Sequence, residues 1–175
     1  MPPEEQEVVP FVGALVNQEI SPERISSFLS SCPFEVDRRS EAIPFDHTDY
    51  YKEEMGENLR RWWFTLASSW SQTDLAEKKR TFNEFEQSAA EQFSVSERPV
   101  NLDPGYVRGN QVVLASTKYV AHRLCIGRNM YAELTLLFEE GEYHAMPWTY
   151  PDYRGSVPHE FFRAARDRYL RELEA

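Results

Sequence analysis

The chain has 175 residues, of which 41% are hydrophobic and 14% aromatic, and it carries a formal net charge of −10 at pH 7. This length suits one domain with a real hydrophobic core, and the plentiful rings indicate that aromatic side chains supply much of its volume. The acidic balance argues against a protein whose main task is to grip duplex nucleic acid or an anionic membrane, because that kind of binding neutralises phosphates with Lys and Arg.

The ends and the cysteines indicate a reducing compartment. The N-terminal stretch MPPEEQEVVPFVGAL opens acidic where a secretory signal opens basic, and no apolar run approaches the roughly 18 residues of a spanning helix. Cys32 and Cys125 form no CxxC pair, so we expect two reduced core thiols and neither a disulfide scaffold nor a zinc knuckle. We predict a cytoplasmic protein with no membrane association, a flexible acidic tail at 1–7 and a single α+β domain at 8–175.

The first half of the domain has the pattern strand, helix, strand, strand, helix. Val8–Val16 is short, apolar and β-branched, which predicts a central strand. SPERISSFLSSC predicts a helix that is capped by Ser21 and has one apolar face. FEVDRRSEAIPF and RWWFTLASSW alternate as strands do, and from Asp74 the period becomes helical, with Asp74 and Glu77 resembling a capping box.

The second half is richer in strands. VNLDPGYV carries an Asp-Pro-Gly sequence, which predicts a turn, and QVVLAS and AHRLCI predict strands on either side of Ser116–Tyr119. MYAELTLLF and EYHAMPW predict a hairpin whose three-residue loop is Glu139–Gly141, and the last twenty residues predict an amphipathic helix. The order predicts an α+β, mainly antiparallel sheet with a ferredoxin-like start, a C-terminal β-meander and a closing helix.

The densest polar stretch is PFDHTDYYKEEMG. Carboxylates of Asp46, Asp49 and Glu54 can converge on one divalent ion such as Mg²⁺ if the backbone turns between them. The alternative is a solvated loop in which Asp46 or Asp49 caps a short helix. His47 is open to two interpretations, a general base near neutral pH or a surface residue beside the acids.

Two further stretches offer polar groups. Asp103 in NLDPGYV is either the first residue of a turn or a carboxylate presented at a strand end. STKYVAHR contains Lys118, His122 and Arg123, which suit a phosphate or carboxylate, yet no GxxxxGK[ST] surrounds Lys118, so a P-loop is not supported. Cys125 lies in an apolar run and is interpreted as an inert thiol. The basic pairs, which include Arg60 and Arg61, are interpreted as solvated surface.

PWTYPDYR predicts a stiff, extended segment because its two prolines fix φ and remove amide donors. Held in that way, Trp148, Tyr150 and Tyr153 can offer flat faces to a base or a sugar, while Asp152 and Arg154 supply directional hydrogen bonds. In the alternative, the rings cover an open end of the core and Asp152 pairs with a neighbouring arginine. The sequence leaves both interpretations open.

Five stretches, PFDHTDYYKEEMG, VNLDPGYV, LASTK, AHRLCIGRNMYAELTL and PWTYPDYR, occur in an order that resembles the prokaryotic family called domain of unknown function 4416. The resemblance covers nearly the whole chain, from Phe11 to about Tyr169. This chain has His47 where the family pattern has a Phe. The resemblance implies no particular activity, but the polar and aromatic nature of the matching residues implies a shared cleft.

These observations predict a small enzyme or ligand-binding protein whose cleft holds a phosphorylated or nucleotide-like molecule, with Mg²⁺ as a candidate cofactor. The alternative is a non-catalytic adaptor that docks a protein partner through an aromatic face, and single-stranded RNA binding by stacking is a third option. The candidate catalytic residues are Asp46, Asp49, Asp103 and His122, and the candidate metal ligands are Asp46, Asp49, Glu54 and Asp103. The candidate ligand-binding residues are Tyr50, Lys118, Arg123, Tyr131, Glu133, Trp148, Tyr150, Asp152, Tyr153 and Arg154.

Overall fold

The computed structural model describes residues 7–31 and 34–175, so the thiol of Cys32 lies outside the described residues. The strands are β1 (Glu7–Val16), β2 (Val36–Arg39), β3 (Ile43–Pro44), β4 (Arg60–Leu66), β5 (Trp70–Ser71), β6 (Val100–Arg108), β7 (Gln111–Ser116), β8 (Leu124–Gly127), β9 (Met130–Glu139) and β10 (Glu142–Ala145). The helices are α1 (Pro22–Ser30), α2 (Lys52–Met55), α3 (Leu75–Phe93) and α4 (Ser156–Glu174), with 3-10 turns at Gln72–Asp74 and Pro151–Tyr153. The first strand includes Glu7, which the sequence assigned to the tail.

The sheet confirms the predicted fold class. Its strands follow the order β10-β9-β7-β6-β1-β4-β2, and neighbouring strands are antiparallel. Among the four longest of the first six strands, β6-β1-β4-β2 places the fourth, first, third and second side by side, which is the ferredoxin-like order. β7, β9 and β10 extend this sheet as the predicted C-terminal meander, and α4 closes the chain.

The two long early helices begin differently from one another. The hydroxyl oxygen of Ser21 accepts a hydrogen bond from the Arg24 amide at 3.2 Å, which confirms the predicted cap of α1. The capping box predicted at Asp74 is wrong, because its side chain makes no capping hydrogen bond. The Ser71 hydroxyl instead accepts from the Thr73 amide and starts the 3-10 turn that leads into α3.

Helices cover both faces of the sheet. α1 and α3 pack on one face, where Trp62 and Phe82 belong to the same buried cluster. α4 packs on the other face, where Trp63 and Phe162 are buried. Because successive residues of a strand point to opposite faces, the two adjacent tryptophans of β4 are both in core. The chain therefore has two hydrophobic layers separated by the sheet.

The turn predicted at Asp-Pro-Gly is wrong, since these residues lie inside β6. A Cβ atom on Gly105 would lie 2.3 Å from the Val113 carbonyl oxygen and 2.5 Å from the ring of Phe11. Glycine is therefore required here by the close approach of a neighbouring strand and a ring, not by a turn. Pro104 pairs with Val12 of β1, and pairing with β7 begins only at the next residue, so the missing amide hydrogen is tolerated.

The hairpin between β9 and β10 has a tighter loop than predicted. Glu139 pairs directly with Glu142, which leaves Glu140 and Gly141 as a two-residue loop. Both loop residues have positive φ, 51° and 88° respectively, as a type I′ turn requires.

β8 lies at the outer side of β9, and its side chains are largely exposed. Cys125 is a free, exposed thiol whose sulfur lies 3.2 Å from the Gly127 carbonyl oxygen, so its assignment to the core is wrong. None of the helices within residues 7–31 and 34–175 combines the length and apolarity of a bilayer-crossing segment.

Candidate functional site

The site lies where the sheet opens between β6 and β7. Among the described residues, β6 pairs with β7 only over Gly105–Arg108, whereas Val100–Pro104 pair with β1 alone. Beyond this point β7 continues with β9 as its partner. A cavity of about 550 Å³ occupies the opening, and it is walled by both strands, by α3, by the segment 45–54 and by residues 150–153.

The floor of the cavity is a buried ion pair. Lys79 reaches up from α3, and its Nζ lies 2.8 Å from Asp103 Oδ1 and 3.2 Å from the Leu102 carbonyl oxygen. Asn101 donates to Asp103 Oδ2 at 2.7 Å. Burial opposes ionisation of Asp103, but Lys79 and Arg61 outweigh it and lower the pKa of this carboxyl. The floor therefore presents an ionised carboxylate, which is an acceptor and a weak base.

A second pair braces the β6 side. Arg98 lies 3.0 Å from Glu86 and 3.3 Å from Glu54. Glu86 also accepts a hydrogen bond from the Leu102 amide at 2.6 Å, which satisfies a β6 donor that faces the opening. Burial raises the pKa of Glu86. These contacts replace the strand pairing that β6 lacks on this side.

The deep end contains Arg61 and Asp152. Arg61 Nε lies 2.8 Å from Asp152 Oδ2, and both side chains are buried. Burial alone would lower the pKa of Arg61, but Asp152 and Tyr153 outweigh it and the pKa is raised, so the guanidinium stays charged. His47 Nε2 lies 3.7 Å from the other oxygen of Asp152, at the edge of ion-pair distance.

Several buried polar atoms at this end have no hydrogen-bond partner among the described residues. Nη1 of Arg61, Nε1 of Trp63 and the hydroxyl of Tyr153 are three of them. A Cβ atom on Gly13 would lie 2.7 Å from the Tyr153 hydroxyl and 3.6 Å from each of the two nitrogens. The three groups thus converge above a glycine, and burial raises the pKa of Tyr153, which keeps the phenol neutral.

Lys118 and two tyrosines form the mouth. Lys118 Nζ lies 3.9 Å from the ring centre of Tyr50 and 5.7 Å from that of Tyr51. No carboxylate of the described residues pairs with this ammonium, whereas each of the other cationic residues in the wall has one. Burial, reinforced by Asp103, raises the pKa of Tyr51 to about 12. Tyr50 and Tyr150 are 64% and 43% exposed, so their rings remain open to a ligand.

Arg123 holds this wall together. Its Nε lies 3.1 Å from Glu133, its Nη1 donates to the Ser116 hydroxyl at 2.9 Å and to the Lys118 carbonyl at 2.8 Å, and its Nη2 donates to the Tyr150 hydroxyl at 2.7 Å. A guanidinium with these four contacts is a scaffold group. It fixes the backbone of Lys118 and the ring of Tyr150 relative to each other.

Several residues that were predicted to bind ligand or to act in catalysis lie behind the cavity wall, where they contact other protein groups. His122 stacks on Trp148 with ring centres 5.0 Å apart and planes 8° apart, and its Nε2 lies 2.7 Å from Glu133. Trp148 Nε1 donates to the Leu134 carbonyl at 2.8 Å. Tyr131 contacts the ring of Tyr119. None of the predicted residues His122, Tyr131, Glu133 and Trp148 is part of the cavity wall.

The segment after β10 is compact, so the prediction of an extended segment is wrong. Arg154 donates to the carbonyl oxygens of Thr149, Met146 and Pro147 at 2.9, 3.0 and 3.3 Å. These hydrogen bonds fold residues 146–154, which we call the strap, around the guanidinium of Arg154. The strap places Asp152 in the deep end, and Arg154 itself does not line the cavity.

The predicted metal ligands do not come together. Asp49 is exposed and pairs with Lys52 at 2.8 Å, and neither Asp46 nor Asp49 lines the cavity. Glu54 and Asp103 do line it, but each pairs with a cation. In the described part of the chain, no group of three or more His, Cys, Asp or Glu side chains is placed to hold a metal ion.

Eight predicted residues do meet in one cavity, and the sequence missed others. The cations Arg61, Lys79 and Arg98 line the wall, and the interpretation of Arg61 as surface is wrong. A signal existed for two of them. Arg61 shares a strand face with Trp63, and Lys79 lies four residues after Leu75 on the buried stripe of α3. The predicted residues in the wall are Tyr50, Glu54, Asp103, Lys118, Arg123, Tyr150, Asp152 and Tyr153.

Comparison with protein-family models gives one description. The model called "Domain of unknown function (DUF4416)" matches residues 6–169. Searches of curated proteins and of solved structures found no match. This description assigns no activity, so the function is inferred from the geometry and charge of the site.

Proposed function

Because the chain belongs to the family of domain of unknown function 4416, whose description assigns no activity, we propose from the geometry of the site that it binds a small organic anion, phosphorylated or nucleotide-like, in the cavity between β6 and β7. The observation that carries the proposal is Lys118, an ammonium at the cavity mouth with no carboxylate partner among the described residues. A bound anion supplies that partner.

The charge of the wall supports this choice of ligand. Five cationic residues line the cavity, against three carboxylates, in a chain whose net charge is −10. An acidic protein that gathers its cations in one concave site raises the local concentration of anions there. Two of these cations also pair with carboxylates behind the wall, so the ammonium at the mouth is the group that remains for the ligand.

The same groups favour binding over proton abstraction. Asp103 has a lowered pKa, so it remains ionised and is a poor base near neutral pH. Tyr51 has a pKa of about 12 and remains a neutral phenol, which donates a hydrogen bond. The exposed rings of Tyr50 and Tyr150 offer flat apolar surface to a ring of the ligand. For a ligand, the wall thus offers one cation without a carboxylate partner among the described residues, one carboxylate acceptor on the floor, a phenol donor and two exposed rings.

A thermal-shift and calorimetric panel tests the proposal. Phosphate, sugar phosphates and mononucleotides are added to the protein, and an anion that occupies the site at about 100 times its Kd adds about 2.7 kcal/mol to the unfolding free energy. Lys118→Met is expected to weaken binding by about 1.5 to 3 kcal/mol, because a charge-assisted contact is lost. Lys52→Met is the matched control, since Lys52 is exposed and pairs with Asp49 outside the cavity. A panel without any binding anion rejects the proposal, as does equal binding by the two variants.

A second candidate, an adaptor that binds a protein partner, is favoured by a different surface. Tyr119, Val120, Leu124 and Ile126 are large, exposed hydrophobic residues in and just before β8. Exposed apolar residues concentrated in one short stretch of the chain are a feature that protein contact sites often show. We expect any stoichiometric partner recovered with the wild type to be lost with Leu124→Glu. Recovery of the same partner with both proteins rules out this surface.

We also propose a cytoplasmic location, supported by the thiol of Cys125. It is free and exposed, and an exposed thiol is most compatible with a reducing compartment. Cell fractionation together with thiol labelling checks this, and recovery of the protein in an oxidising compartment contradicts it.

A further inference from the structure

We propose that the ligand of this cavity is a polyhydroxylated anion of the sugar-phosphate class, and that Asp103 binds two adjacent hydroxyl groups of it. This inference rests on the proposed function and specifies its ligand. It assigns the anionic group to Lys118 at the mouth and the hydroxyl groups to the floor.

The hydrogen bonds of Asp103 leave room for two donors. An ionised carboxylate accepts about four hydrogen bonds. Within the protein, Oδ1 accepts from Lys79 and Oδ2 accepts from Asn101, one each. The Asp103 side chain is 22% exposed, whereas that of Lys79 is only 5% exposed. Because Asp103 also lines the cavity, its exposed part and its open acceptor positions face the cavity. Two open acceptor positions on neighbouring oxygens match the two donors of a vicinal diol.

The charge around Asp103 favours neutral donors over a cationic amine. Lys79 and Arg61 both act on this carboxylate, and their combined effect outweighs its burial, since its pKa is lowered. A ligand ammonium placed at the floor would add a third positive charge close to two others. Like charges at such distances repel. A hydroxyl group donates the same hydrogen bond without that repulsion, so hydroxyl groups are the better match.

Tyr51 lines the same cavity as the two groups to which the ends of the proposed ligand are assigned. Lys118 Nζ is 5.7 Å from the ring centre of Tyr51, and the charge of Asp103 acts on the same phenol. The mouth cation, this phenol and the floor carboxylate all line the same cavity. This cavity of about 550 Å³ has room for a small molecule that contacts both charged groups. The exposed ring of Tyr150, fixed by Arg123, offers the apolar face that a sugar ring stacks on.

Calorimetry on the wild-type protein tests the inference with three probes: ribose 5-phosphate, 2-deoxyribose 5-phosphate and inorganic phosphate. The deoxy sugar keeps the phosphate and the ring but has no pair of adjacent hydroxyl groups at positions 2 and 3. We expect ribose 5-phosphate to bind at least about tenfold more tightly than the deoxy sugar, because the deoxy sugar leaves one acceptor position of the Asp103 carboxylate without a donor inside the occupied cavity. Inorganic phosphate is expected to bind most weakly of the three.

The outcomes separate this inference from the proposed function. Equal affinities for the two sugars overturn the diol site while anion binding stands. Absence of binding by all three probes overturns the diol site, and it overturns the proposed function too if mononucleotides also fail to bind. As a second measurement, Asp103→Asn combined with Lys79→Met removes the charge pair as a unit, and the preference for ribose 5-phosphate is expected to fall toward one. A preference that persists in this variant also overturns the role of Asp103.

Discussion

The ion pair on the cavity floor gives the sharpest test of the structure, because its two members are buried to different extents. Asp103→Asn strands the Lys79 ammonium, which is only 5% exposed and keeps one carbonyl contact and the new amide. Breaking a buried pair in this way costs about 3 to 5 kcal/mol. Lys79→Met strands Asp103, which is 22% exposed and retains Asn101 and the nearby charge of Arg61. We expect this change to destabilise the protein by less, about 1 to 3 kcal/mol.

The double variant decides whether the losses come from stranded charges. Replacing both members of a buried pair by groups of similar volume is often close to neutral. We therefore expect the double variant to be more stable than Asp103→Asn alone. Urea unfolding followed by the fluorescence of the four tryptophans measures all three variants against the wild type. A greater loss for Lys79→Met than for Asp103→Asn, or a double variant whose loss equals the sum of the two single losses, contradicts the assignment of these losses to stranded charges.

The same pair predicts a dependence on pH. The pKa of Asp103 is lowered in the folded protein, so its ionised form contributes stability that is fully present above the unfolded pKa of about 3.9. That contribution is lost as the pH falls below this value through the folded pKa. The difference in unfolding free energy between wild type and Asp103→Asn is therefore constant near neutrality and shrinks in acid. A difference that grows below about pH 4 contradicts the assignment.

Two further comparisons test the packing around the site by the same unfolding measurement. Gly105→Ala is expected to destabilise the protein by about 3 kcal/mol or more, because the added Cβ would lie 2.3 Å from a backbone oxygen of β7. Gly109→Ala is expected to change stability little, because its Cβ would make an ordinary contact at 3.6 Å. Equal effects of the two changes would refute the close approach. Tyr153→Phe is expected to cost less than Tyr143→Phe. The buried Tyr153 hydroxyl has no close hydrogen-bond partner among the described residues and interacts with the Trp63 indole, whereas Tyr143→Phe loses a 3.2 Å hydrogen bond and about 1 kcal/mol. A larger loss for Tyr153→Phe means that its hydroxyl has a partner.

Local patterns were sufficient for most of the fold. The β-branched run at Val8–Val16, the Ser21 cap and the helical stripe after Asp74 each depend on neighbours in sequence, and the structure confirms all three elements. The Asp-Pro-Gly prediction failed because a long-range contact, between Gly105 and the carbonyl of Val113, set the backbone there. Turn propensity is a local quantity and contains no information about that contact.

The site was harder to predict for the same reason. Arg61 and Lys79 look like surface residues because the sequence does not show that Asp152 and Asp103, which lie 91 and 24 positions away, neutralise them. Conversely, His122 and Arg154 look like ligand-binding groups, and their hydrogen bonds are used up within the protein. Which polar groups remain free depends on the pairing of all of them, and that pairing follows from the tertiary structure.

The gap between β6 and β7 divides the sheet into two parts, and in the described residues β6 and β7 pair only over the short stretch Gly105–Arg108. A molecule that binds both Asp103 of β6 and Lys118, which follows β7, links the two parts across the gap. Slower amide exchange is then expected along Val100–Asp103, including amides that do not contact the ligand. Measuring this protection would show whether the cavity is occupied, even before the chemical identity of the ligand is known.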